Sequence, residues 1–104
     1  MCHHCKRKEQ EMNQPQRKLY TKAIKNFGEN NQIRKAIERL TTLSLELQRN
    51  MGDKIRRKDI IDEIADVSIM LEQLKLIYDC DQEVFERIKE KEQRIKIRMI
   101  RMEE

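Results

Sequence analysis

Two glycines and one proline in 104 residues leave the chain few places to break. Tryptophan is absent, and the aromatic share is 4%. Strands and tight turns draw on those residue types, so their scarcity argues against a β-rich fold and for long helices. No apolar run reaches the roughly 18 residues that a membrane-spanning helix needs. The opening Met-Cys-His-His-Cys lacks the apolar stretch of a secretory signal. Three cysteines, Cys2, Cys5 and Cys80, are an odd number for a disulfide framework and point to a reducing, cytoplasmic setting.

What the chain does have is charge. Charged residues make up 40% and apolar ones 38%, with a formal net charge of +4. That excess favours solubility and weak attraction to polyanions, and does not by itself mark a nucleic-acid binder. One domain is the most that 104 residues allow. So charged and short a chain buries little apolar area alone. The expected remedy is a core shared with identical chains, as a dimer or tetramer.

Residues 1–15 are polar, hold both histidines and end at Pro15, and read as a weakly ordered tail. Cys2-His3-His4-Cys5 has the Cys-x-x-Cys spacing of a zinc half-site, so Cys2 and Cys5 either bind Zn²⁺ or are free thiols on that tail. A short helix fits Gln16 to Phe27, stopped by Gly28. Asn30 or Asn31 can cap a second helix, on which Ile33, Ala36, Ile37, Leu40, Leu43 and Leu47 recur at intervals of three and four to about Met51. A basic loop follows, from Asp53 to Lys58. A third helix, from Asp59 to about Tyr78, is apolar on more than one side and reads as central. Asp79 or Asp81 caps a fourth. From Arg94 to Met102 basic and apolar residues alternate, a strand signal. Helix is still the expectation there, because lysine, arginine, glutamate and methionine dominate and no turn supplies a partner strand.

On the third helix Glu63 and Asp66 are three residues apart and project from one face. Asp59 and Asp62 are close by. On the second helix Glu38 and Glu46 lie two turns apart. If the two helices pack antiparallel, carboxylates from both can converge, as a hard cation such as Mg²⁺ requires. The stretch Gln32-Ile-Arg-Lys-Ala-Ile-Glu38-Arg-Leu-Thr-Thr42-Leu, followed by Asp59-Ile-Ile-Asp-Glu63-Ile-Ala-Asp66-Val-Ser-Ile-Met-Leu-Glu-Gln-Leu74, resembles the MazG-like all-α nucleotide pyrophosphohydrolases, often encoded by phages of Gram-positive bacteria. The likeness covers roughly Tyr20 to Arg94. It implies an all-α, MazG-like helix bundle completed by oligomerisation, with a helical domain over 16–94 and a basic C-terminal arm over 95–104. It also implies a chemistry. Carboxylates hold Mg²⁺ on a nucleoside triphosphate, and water attacks phosphorus to give a monophosphate and pyrophosphate.

The family pattern is Glu-Glu-x-x-Glu on one helix and Glu-x-x-Asp on the next. Glu63 and Asp66 match the second motif. Of the first, only Glu38 survives, with Arg39 and Thr42 in the other two places. The resemblance therefore assigns Glu38, Glu63 and Asp66 to catalysis and to Mg²⁺, in a degraded site. An arginine among the ligands repels a cation and can itself pair with a carboxylate as a bidentate donor. Glu46, one turn beyond Thr42, is a candidate displaced ligand.

Lys54 and Arg57, in the basic loop, could contact a triphosphate, or they are a solvated turn. Gln32 could read a base, or the amides there only cap the helix. The last helix carries Arg87, Lys89, Lys91, Arg94, Lys96, Arg98 and Arg101, but no aromatic residue is interleaved among them to stack on bases. Its apolar residues instead suit an oligomer or partner surface. These observations lead to a MazG-like homologue with a weak or inactive site, acting through nucleotide binding or on a host or phage protein as a regulator or anti-defence factor. The alternatives are an active enzyme with a rearranged metal site and a basic nucleic-acid-binding oligomer.

Overall fold

The computed structural model describes residues 12–51 and 57–103. Cys2, Cys5 and Lys54 lie outside the described residues. Four helices follow one another: α1 (Gln14–Phe27), α2 (Glu29–Arg49), α3 (Arg57–Ile77) and α4 (Asp81–Glu103). No strand is present among the described residues, and none of the helices is long and apolar enough to cross a membrane. The alternating stretch from Arg94 to Met102 is helical.

The helix ends show where side chains replace missing backbone partners. α1 begins two residues earlier than the sequence suggests. Asn13 caps it, accepting from the Gln16 amide at 2.9 Å, while the Gln16 side chain accepts from the Asn13 amide. Pro15 falls in the first turn, where an N–H has no intrahelical partner to lose. α1 and α2 are joined by Gly28 alone, at φ 91° and ψ 144°. That conformation is close to glycine-only. Neither Asn30 nor Asn31 caps α2, which starts ahead of both. Asn31 instead reaches back to donate to the Phe27 carbonyl at 2.8 Å, satisfying the end of α1. α3 starts at Arg57, two residues before Asp59. It ends in a reversal with Asp79 at φ 50°, and the Cys80 amide donates to the Lys75 carbonyl at 3.0 Å. This is the glycine-type helix stop, here made by an aspartate.

α2 and α3 form the principal packing pair, and α1 crosses both. Ala36, Val67 and Met70 are the buried apolar side chains, joined by two buried amides, Gln32 and Gln73. α4 packs its backbone only against α3, and from Glu86 onward every described residue is exposed. The radius of gyration is 16.7 Å, against about 13 Å for a compact domain of this length.

Candidate functional site

The seam between α2 and α3 carries the chemistry. Positions 32, 36, 39, 43 and 46 on α2, and 50 at its C-cap, are all at least partly buried, and they advance by four and three in turn. So do 63, 66, 70, 73 and 77 on α3. This spacing holds one stripe of each helix against its neighbour. Seven of these eleven positions are polar. Gln32 Nε2 donates to Gln73 Oε1 at 2.6 Å, with both residues 5% exposed. Arg39 Nη1 lies 3.6 Å from Asp66 Oδ2. From the first pair to the second, the chain moves seven residues forward on α2 and seven back on α3. The helices are thus antiparallel in one continuous register, and that register sets Thr42 opposite Glu63 and Glu46 opposite Asp59.

Asp66 meets Arg39 of α2, and Glu63, three residues before it, shares its face of α3. The Glu63 Oε2 atom is buried and has no hydrogen-bond partner among the described residues. Thr42 turns its hydroxyl to the Glu38 carbonyl at 2.9 Å, a bond within its own helix. Glu38 is exposed and off the seam, about 100° around the helix from Arg39. Glu46 is half-buried and accepts from the Asn50 side chain at 3.2 Å. Arg39 and Asp66 keep 40% and 42% of their side-chain surfaces exposed. Their 3.6 Å contact is a charge pair, looser than the bidentate fork that the sequence suggests.

Among the described residues no three acidic, histidine or cysteine side chains are grouped to hold a metal. A guanidinium stands beside Asp66, one of the three motif carboxylates, and Glu38 is exposed off the seam. Gln32, the candidate base reader, is buried and donates one side-chain amide bond to Gln73. Arg57 is exposed at the start of α3. Its partner in the sequence reading, Lys54, is outside the described residues.

Sequence reasoning missed Gln73. Its spacing of seven residues from Asp66 was the available signal. It also missed a cleft of about 630 Å³ at the other end of the hairpin, where α1, α3 and α4 meet. There Arg17 pairs with Asp81 at 2.9 Å and Lys75 with Glu72 at 3.0 Å. No family model, curated protein or solved structure matches this chain.

Proposed function

We propose that this is a MazG-like nucleotide pyrophosphohydrolase homologue in which an arginine has replaced the cation. It is a cytoplasmic, oligomeric binding protein with little or no hydrolytic activity. The observation that carries the reading is the Arg39–Asp66 pair across antiparallel helices. It sets a fixed positive charge beside the Glu-x-x-Asp carboxylates on the helix face where the family pattern calls for ligands. Nucleotide or protein binding then outlives catalysis, and a phage-borne regulator or anti-defence factor is the role that the resemblance favours.

The partnerless Glu63 oxygen favours the second reading, an active enzyme with a rearranged site. An added cation would satisfy that oxygen, and Glu46 lies one turn beyond Thr42 along the register. Titration calorimetry with Mg²⁺ and a panel of nucleoside triphosphates, with product analysis on the same samples, separates the two. The first reading expects weak Mg²⁺ binding and negligible pyrophosphate release. It also expects the double change Arg39→Glu and Thr42→Glu to raise Mg²⁺ affinity by orders of magnitude, because three units of charge turn negative at the seam. Robust hydrolysis by the natural sequence, abolished by Glu63→Ala, would establish the second reading instead.

A further inference from the structure

The charges of α4 fall in rows. Arg87, Lys91, Arg94, Arg98 and Arg101 advance by four, three, four and three. At about 100° per residue they lie within about 80° of one another around the helix and form one edge about 21 Å long. Val84, Ile88, Ile95, Met99 and Met102 advance by four, seven, four and three. They lie within about 60° of one another, directly beside the basic row. Lys91 and Glu92 flank the turn where the apolar row is interrupted. The other edge is mixed, with Lys89 and Lys96 offset by Glu92 and Glu103.

Both rows are open to solvent. The five basic residues are exposed, and Val84, in the first turn, is half-buried. Ile88, Ile95, Met99 and Met102 are between 48% and 83% exposed. Among the described residues Arg87 is the only one of the five cations with a carboxylate partner, Glu90 at 2.8 Å. The chain as a whole exposes 9056 Å², against about 6,200 Å² for a compact monomer of this mass. Exposed apolar residues are common when scattered. An apolar row in step with a row of one charge is an ordered surface, and it marks an interaction site.

We infer that α4 docks an acidic amphipathic helix of another protein. Such a helix sets apolar residues at the same three-and-four spacing against the apolar row and carboxylates against the basic edge. Charge complementarity selects this occupant. A second α4 does not supply it. Antiparallel, two copies set the basic row against itself, and parallel, they set it against the edge where Lys89 and Lys96 cancel Glu92 and Glu103. A nucleic-acid backbone takes the basic row but leaves the apolar row uncovered, and Glu86, Glu90 and Glu92 on the same helix repel its phosphates. A lipid surface favours a broad apolar face with tryptophan, phenylalanine or leucine, and this row is narrow and has none of them. The inference rests on the protein-binding branch of the proposed function, and its test makes no use of nucleotides or Mg²⁺.

The test is the fluorescence anisotropy of a labelled peptide titrated with the full chain. One peptide is an amphipathic helix with leucines at heptad spacing and glutamates on both edges. A second has lysines in place of the glutamates. The acidic peptide is expected to bind and the lysine peptide is not. Arg94→Gln with Arg98→Gln should weaken binding by about fivefold or more. Ile95→Ser with Met99→Ser should weaken it as well. Gln93→Glu with Ile97→Glu makes the same change in net charge on the far side of α4, and should leave affinity within about twofold. All these positions are exposed, so the fold should survive, as circular dichroism will report. Equal losses from the row and far-side changes would reduce the contact to net charge and overturn the inference. So would an acidic peptide that does not bind, a lysine peptide that does, or indifference to the Ile95 and Met99 changes. Tighter binding to a mixed-sequence DNA duplex, or to vesicles of equal parts phosphatidylcholine and phosphatidylserine, would overturn it too. Nucleotide binding, measured separately, fails or succeeds independently of these titrations.

Discussion

Gln32–Gln73 and Arg39–Asp66 occupy equivalent places on one seam, two turns apart, yet they do different work. The amide pair is neutral, short and sealed. The charge pair is long and about two-fifths exposed. A buried neutral hydrogen bond penalises every register that fails to remake it, because each broken pair strands polar atoms away from water. A half-exposed ion pair imposes little such penalty, since water can replace either partner. Register is therefore fixed near the α1 end of the hairpin, and the carboxylates farther along are left adjustable. A site that must admit a ligand belongs at the adjustable end.

Breaking the amide pair should have the larger effect. Gln32→Ala leaves Gln73 without its partner and should cost about 1–3 kcal/mol in chemical denaturation. The double change Gln32→Leu and Gln73→Leu should recover much of that loss while weakening the preference for one register, visible as broadened amide resonances along α2. Gly28→Ala tests the joint that delivers α1 to this sealed end. The nearest atom to an added Cβ is the Asn31 side-chain nitrogen at 3.8 Å, so the penalty is one of backbone conformation, again about 1–3 kcal/mol. Asp79→Gly should act in the opposite sense, stabilising by up to about 1 kcal/mol, because the left-handed position at the end of α3 suits glycine. At the adjustable end Arg39→Ala should change stability by less than about 1 kcal/mol. A loss as large as that of Gln32→Ala would mean that the two ends are not unlike after all.

The helices were legible because apolar intervals of three and four persist across α2 and α3. Their ends were less so. An asparagine near a glycine can cap the helix ahead or close the helix behind, and Asn31 does the second because α2 begins without waiting for a cap. The site was half legible. That Glu63 and Asp66 share a face follows from their spacing alone. Which of the adjacent residues Glu38 and Arg39 meets them depends on the phase of the seam, and one residue of phase is about 100°. Gln32 carries that phase, seven residues before Arg39, but glutamine before a helix turn looks like a capping residue until its partner is known. Gln73 carries the matching spacing on α3, seven residues beyond Asp66, but the sequence alone does not state the register that pairs the two glutamines.

The large exposed area has a thermodynamic signature. An unfolded chain of this mass exposes about 18,000 Å², so the folded chain hides only about half of it, where most domains of this size hide nearer two-thirds. The heat capacity of unfolding and the denaturant slope both scale with newly exposed area. An isolated chain should therefore melt broadly, with a shallow dependence on urea and little calorimetric curvature. Association would change the shape of the transition as well as its position. The denaturant slope per chain should steepen as protein concentration rises, and the melting midpoint should climb with it.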